Sequence, residues 1–504
     1  MKIYTTILFS LIIKIACSQF LSSSLHDVFS DNAYKPHSSL NVFSSDTLKS
    51  LVLNKGKLVE FAPLLGVDVM YGSELAYNTA LGYSLQTDKN KKFSADFSIL
   101  FEIADYPSFV GEKFDTLNVF PYSGKKVFSK SSMNGAFSLP LLLKYNINDV
   151  FSLEGGNGKT FLGDGYRSVL LSDQCAEYPF LRMNADLKKV KYMHQISRWR
   201  QELASGDSET KFSATHYLSW MITKKINLSV FESVVWRATD TVRQRGMEWL
   251  YLNPVLFFRP AEFSIGSPDN MLIGANVSWN VFNKTKLYAQ VVLDEFFISE
   301  IKNWIKHLYN RSDSTIPYGA WVNKQAFQFG VKSSDLFGLE GLSCLLEFNY
   351  ARPYIWSHRD PMLSNSNMNQ PVAHPYGANF YEFVFKSEYR KEKWGLCFNA
   401  GYYKTGLDSA GINFGQDILA VTFDSNIGGN IPVQYYGNKV GQGVSKNTIH
   451  VDAEYLRNIK INNNLLKWRI GVLCRMNKIE QISQTPDFYV YTGLYLNLFP
   501  KKWD

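Results

Sequence analysis

Between Phe93 and Ile103 the chain alternates: Phe93, Ala95, Phe97, Ile99, Phe101 and Ile103 stand against Ser94, Asp96, Ser98 and Glu102. A period of two places the first set on one face of a strand and the second on the other. The unbroken apolar face matches the roughly 9–11 residues with which a tilted strand crosses a bilayer. A soluble sandwich seldom needs a face that long. The pattern recurs in Leu342, Cys344, Leu346, Phe348 and Tyr350, in Ile449, Val451, Ala453 and Tyr455, and in Leu466, Trp468, Ile470, Val472, Cys474 and Met476. Their opposite faces carry Glu347, Asn349, His450, Asp452, Glu454, Lys467, Arg469 and Arg475. One greasy and one charged face suit lipid outside and water or inserted chain inside.

Beyond the first residues no stretch approaches the run of about 18 apolar residues that a membrane helix needs, so any crossing must be made by strands closed on themselves. The 504 residues contain no Pro-, Ser- or Gly-rich linker that would divide them, which favours one large closed unit. The aromatic share of 15%, with 29 Tyr and 36 Phe, fits interfacial girdles around such a wall. The net charge of +8 is spread along the chain and gives no nucleic-acid signal. The expected fold is all-β, a transmembrane antiparallel outer-membrane β-barrel of about 14–18 strands with an internal or periplasmic plug segment.

Lys2, the apolar run Ile3–Ile13, and Ala16-Cys17-Ser18 before Gln19 read as the parts of a cleaved signal peptide over residues 1–18. Acylation of Cys17 is the alternative, with Lys14 standing where an aliphatic residue is usual. Residues 19–57 are expected as a periplasmic N-terminal segment, and 58–504 as the barrel with its insertions. Cys175, Cys344, Cys397 and Cys474 read as small packing residues rather than a disulfide framework or zinc ligands.

From Met271 onward strands are expected near 271–281, 286–298, 326–334, 340–350, 380–390, 394–403, 448–456, 466–476 and 488–499. Short turns belong in the periplasm and long loops outside. That places 282–285, 335–339, 391–393 and 457–464 inside and 299–325, 351–379, 404–447 and 477–487 outside. Upstream the rhythm breaks: the tight Lys224-Lys225 turn between 212–222 and 226–236 does not take a periplasmic place unless a strand near 237–270 is missed or invented. Along Ile226, Leu228, Val230, Val234 and Trp236 the apolar face is interrupted by Glu232, which either a bulge turning it inward or a place at the membrane rim would explain.

The stretch Gly155-Gly156-Asn157-Gly158-Lys159-Thr160-Phe161-Leu162-Gly163-Asp164-Gly165-Tyr166-Arg167 concentrates positions suited to positive φ and close backbone approach. Its Gly-Lys-Thr end matches a phosphate loop, but the first glycine of that pattern would fall on Leu153, so nucleotide binding is rejected. It reads either as a glycine-rich crossing of the barrel or as an inward fold in which Lys159, Asp164 and Arg167 contact a plug or an anionic glycan.

Together with Gly158–Ser168, the runs His216-Tyr217-Leu218-Ser219-Trp220, Tyr251-Leu252-Asn253-Pro254, Arg259-Pro260-Ala261-Glu262-Phe263 and Gly266-Ser267-Pro268-Asp269-Asn270 resemble the capsule-assembly Wzi-like family, in its branch associated with gliding motility. Leu293-Asp294-Glu295-Phe296, Tyr350–Tyr354, Ser357-His358-Arg359 and Asn369–Pro375 extend the similarity, which covers most of 150–380. The resemblance implies a non-enzymatic outer-membrane barrel that holds or assembles surface polysaccharide, or one that serves surface motility or secretion through protein partners. It supplies no catalytic residues. The candidate ligand set is Lys159, Asp164, Arg167, Glu232, Arg259, Glu262, Trp356, His358 and Arg359, with Trp321 and Tyr354 as further aromatic surfaces on outer loops.

An outer-membrane glycoside-acting enzyme is the less favoured reading, with Asp164, Glu232, Glu262, Asp294 and Glu295 as available carboxylates. No Gly-x-Ser-x-Gly or His-Glu-x-x-His pattern occurs, and His216, His358 and His374 are too far apart for a local metal site, so neither metal nor cofactor is expected. A channel remains if the lumen is open; folding of 104–140 into the barrel would close it.

Overall fold

The computed structural model describes residues 39–42, 59–87, 92–130, 133–203, 205–239, 245–254, 269–295, 298–310, 318–409, 412–420, 435–461, 464–480 and 482–498. The expected signal peptide lies outside the described residues, as do Arg259 and Glu262.

Eighteen antiparallel strands close into a barrel. They are β1 Val59–Gly72, β2 Leu75–Thr87, β3 Phe93–Asp105, β4 in two pieces, Met133–Ser138 and Leu141–Asn146, β5 Phe151–Gly158 and β6 Tyr178–Asp186. Then follow β7 Val190–Glu202, β8 Ser208–Met221, β9 Ile226–Arg237, β10 Asn270–Phe282, β11 Thr285–Leu293 and β12 Gln325–Ser334. The last six are β13 Leu342–Ala351, β14 Phe380–Arg390, β15 Trp394–Leu407, β16 Val444–Ile461, β17 Asn464–Ile479 and β18 Asp487–Leu496. Both pieces of β4 pair with β3 in one register; the interruption falls at Pro140, which has no N–H to give the ladder. β18 pairs with β17 on one side and β1 on the other, so the expected closing strand does close the wall.

The expected faces are observed. Phe97, Ile99, Leu346, Ile449, Val451, Ile470 and Val472 are exposed on the outside, while Asp68, Glu102, Arg182, Lys286, Gln328, Glu347, Glu382 and Arg469 are buried on the inside. Polar groups are affordable there because they pair with one another across the lumen. No helix among the described residues is long and apolar enough to cross a membrane. Among the described residues two α-helices, α1 Ser108–Thr116 and α2 Ile298–Tyr309, lie in connections.

All the longer connections leave one end: 106–132, 159–177, 238–269, 294–324, 352–379 and 408–443. The other end carries short turns, 222–225 among them. This corrects the expected break upstream of Met271. The described residues between β9 and β10 hold no barrel strand, so the Lys224-Lys225 turn sits at the same end as the turn after β10. Short turns and long connections thus segregate to opposite ends, the division expected of such barrels.

Three long connections turn inward instead of standing clear of the mouth. Leu162, Val169, Leu170, Leu171 and Cys175 pack with Ile355, Trp356, Val372 and Ala373, and this cluster rests on Trp199, Tyr217, Phe231, Leu272 and Phe380 of the inner wall. The 106–132 connection joins them: the Tyr122 backbone N–H donates to Gln370 Oε1 at 2.7 Å, and Lys159 Nζ donates to the Tyr122 carbonyl at 2.8 Å. Ser39–Val42, within the expected N-terminal periplasmic segment, pairs antiparallel with Thr160–Gly163.

Several inner-wall aromatics lie flat over a glycine of the neighbouring strand. A Cβ on Gly330 would come within 2.2 Å of the Tyr288 ring, whose hydroxyl is held by Glu347 Oε2 at 2.7 Å and so has nowhere to retreat. Gly330→Ala should therefore destabilise the barrel by about 1–3 kcal/mol through overpacking. An unchanged urea midpoint would contradict this account.

Candidate functional site

The glycine-rich segment is anchored to the inner wall at several points. Asp164 sits between two inner-wall strands: Lys286 Nζ is 2.9 Å from Oδ1 and Asn276 Nδ2 is 3.0 Å from Oδ2. Lys332 Nζ donates to its carbonyl at 2.6 Å. Three residues on, the Arg167 guanidinium lies 3.5 Å from Glu382 and its backbone N–H donates to Glu347 Oε1 at 3.0 Å. The Tyr166 N–H donates to the other oxygen of Glu347 at 2.7 Å. Glu382 also receives His374 Nε2 at 3.0 Å. Asp164 and Arg167 are thus tied to the barrel wall and Lys159 to the Tyr122 carbonyl of the 106–132 connection; all three are buried and engaged. They serve as fastenings of the inserted segment.

Trp356 does not stand on an outer loop. It and Tyr354 are each 1% exposed, and both take left-handed backbone angles, φ 66° and 69°, which bulky residues adopt only when packing holds them there. Their faces are spent on the core. His358 is buried beside them, with Nδ1 accepting from the Asp360 N–H at 3.1 Å, and Arg359 alone of this group is exposed.

Glu232 is displaced in a different way. The registers of β8 with β9 and of β9 with β10 run without a shift, so no bulge turns it inward. It faces outward with His216, 3.5 Å away, and the His194 ring lies 4.6 Å from that of His216. Part of the 238–269 connection folds back over this patch: Tyr251 packs on Trp236, Ile196 and Met271, His194 Nε2 bonds the Tyr251 carbonyl at 3.1 Å, and Tyr192 donates to the Pro254 carbonyl. Arg245 fastens that lap to Asp269 at 2.6 Å. Asp164 and Glu232 therefore lie on opposite faces of the wall and cannot flank one glycosidic bond.

An exposed aromatic pair lies elsewhere at the long-loop end. Tyr435 and Tyr436 are 55% and 45% exposed, with ring centroids 4.9 Å apart and nearly perpendicular. Backbone bonds from Trp321 N–H to the Tyr435 carbonyl (3.1 Å) and from Gly437 N–H to the Tyr318 carbonyl (2.8 Å) tie this loop to the half-buried Trp321 and Tyr318, and His307 of α2 stacks on Tyr318 at 3.8 Å. Trp321 was within reach of sequence reasoning; Tyr435 and Tyr436 were missed because nothing local separates an exposed loop tyrosine from a packed one.

Lys324 links this surface to the loop core, its Nζ 4.0 Å from Asp294 and 3.3 Å from the Ser357 carbonyl. Burial pushes the Asp294 carboxyl up to about 7 despite Lys324. Burial, and then Lys324, pushes His358 down to about 4. The neutral His358 ring contributes stability above its unfolded value of about 6.5 that is lost as pH falls toward 4. Protonated Asp294 contributes stability that is full below 3.8 and lost as pH rises through 7. The two slopes oppose each other, so the native loop should be nearly flat in pH. In Asp294→Asn the compensation is gone, and acidification through that window should loosen 352–379 by up to about 3 kcal/mol. Limited proteolysis across pH reads this; identical profiles for the two proteins would count against it.

No family model and no curated protein matches the chain. Among solved structures it matches the Escherichia coli outer-membrane protein Wzi, described as involved in group 1 capsule assembly and as a carbohydrate-binding β-barrel, with TM-score 0.56 and 11% identity over 95% of this chain and 98% of that one. It also matches Pseudomonas aeruginosa OprD, at TM-score 0.43 and 7% identity over 88% and 97% of the two chains. At such identity the likeness to Wzi is one of fold: the chain is built as that barrel is built.

Proposed function

We propose that this chain is a non-enzymatic outer-membrane barrel, closed by its inward connections acting as a plug, that holds surface polysaccharide at its long-loop end during capsule assembly or attachment. The observation that carries the reading is the exposed Tyr435–Tyr436 pair beside Trp321 at that end, on a fold shared with a barrel described as carbohydrate binding. Sugar rings present C–H faces that stack on such aromatics, while Arg359 offers a charge to acidic sugars. The sequence motifs that resemble the Wzi-like family support the same assignment. No step of this role requires bond making or breaking.

Replacing both Tyr435 and Tyr436 by Ala should weaken retention of purified capsular polysaccharide by roughly ten- to thirty-fold, at about 1 kcal/mol per stacked ring. Retention equal to that of the native protein would overturn the site. Deleting the gene and scoring capsule retention beside colony spreading tests the role: loss of capsule supports it, and loss of spreading alone with capsule intact favours the motility or secretion alternative.

A further inference from the structure

On the outer wall, three neighbouring strands set a polar row just short of the long-loop end. Pairing places Lys404 of β15 beside Asn447 of β16, and Asn447 beside Lys478 of β17. All three belong to the outward face, because two residues further along each strand the row is Tyr402, Ile449 and Met476, and two further still Ala400, Val451 and Cys474. The wall thus changes from two ammonium groups to apolar belt within one step of the pleat. Adjacent strands are about 4.8 Å apart, so the two lysines start about 10 Å from each other, a gap that phosphates on one headgroup can bridge.

The row lines a recess of about 700 Å³. Neither the Lys404 nor the Lys478 ammonium has a hydrogen bond or ion pair among the described residues. Asn447 Oδ1 accepts the Tyr402 hydroxyl at 3.0 Å, which orients the amide and leaves its NH2 as a further donor. Glu480 on the rim is the one opposing charge lining the recess. Tyr402 and Ile449 also belong to a second hollow, about 1000 Å³, which runs along the outer wall past Phe385, Phe348 and Phe329 to Val277. The polar recess and the apolar hollow therefore adjoin at Tyr402 and Ile449.

We propose that this wall is a binding site for a phosphorylated glycolipid of the lipid A type, its phosphate held between Lys404 and Lys478 and its acyl chains laid in the apolar hollow. Charge-assisted contacts from two ammonium groups and an amide suit a phosphate, and the volume of the hollow suits several chains rather than one. The inference rests on the outer-membrane reading with the long-loop end outside, and is independent of glycan binding at Tyr435 and Tyr436.

The test uses the full chain purified in detergent and incubated with bis-phosphorylated lipid A, with bound lipid counted by native mass spectrometry. The Lys404→Gln, Lys478→Gln double variant should retain about ten-fold less of it, each lysine contributing about three-fold. Dephosphorylated lipid A should bind the native protein as weakly as bis-phosphorylated lipid A binds the variant, a comparison that needs no variant to fold. Glu480→Gln should raise retention. Equal retention by native protein and a double variant that keeps its heat-modifiable mobility, or equal binding of phosphorylated and dephosphorylated lipid, would overturn the proposal. Inorganic phosphate binding with the same lysine dependence would overturn the lipid assignment. Loss of polysaccharide retention would leave these results unaffected.

Discussion

Replacing Arg469 by Ala is expected to destabilise the barrel by about 3–5 kcal/mol, the cost of leaving buried carboxylates without their counter-charge. The guanidinium, 1% exposed, reaches Asp68 of β1 at 2.9 Å and Glu454 of β16 at 3.3 Å, and Tyr495 of β18 donates to the same Asp68. These contacts join β1, β16, β17 and β18, where the last strand meets the first. Removal of the cation leaves two carboxylates facing each other in the closing seam. The urea midpoint and the temperature of heat-modified mobility should both fall sharply. As a contrast, Lys284→Ala, which breaks the pair with Asp335 at a surface turn where the lysine is 60% exposed, should cost no more than about 1 kcal/mol. Equal effects of the two variants would show that the seam is not held as described.

Asp164→Ala is expected to open the lumen. Its carboxylate is the shared anchor of Lys286 and Asn276, and loss of that counter-charge beside a buried ammonium should cost about 3–5 kcal/mol, concentrated on the inserted segment rather than on the wall. The strand ladder of the barrel does not depend on Asp164, so the variant should still assemble. In planar bilayers the native protein should show a closed baseline and the variant frequent openings. A native protein that conducts steadily would defeat the plug; a variant that assembles and stays closed would show that 106–132 and 352–379 suffice without this anchor.

The wall was legible from residue types alone. Alternation at 93–103, 342–350, 449–455 and 466–476 appears in the structure with the expected faces outward, because a pleated strand turns every second side chain to the same side and lipid rejects charge. The loops were not legible in the same way. Trp356, His358 and their neighbours in 352–379 have the composition of an outer loop, yet Ile355, Trp356, Val372 and Ala373 pack on side chains of the inner wall. Whether a long connection stands out or turns in depends on what the lumen offers it: here Lys211 Nζ waits for the Ser364 carbonyl at 2.8 Å, and Asn367 Oδ1 accepts the Arg200 N–H at 3.1 Å. Those partners lie some 160 residues away in sequence, and no local period reports them.

Glu232 makes the same point on the other face. Its place in an apolar row was plain, but the lap carrying Tyr251 that covers the outward patch of Glu232, His216 and His194 comes from a separate connection. The row of Lys404, Asn447 and Lys478 likewise exists only once three strands are in register. Period and polarity, being properties of neighbouring residues, were enough to require a closed strand-built wall, greasy outside and polar within. Which connections pack against the inner wall, and which charges meet there, rests instead on pairings between distant segments chosen by the fit of the whole.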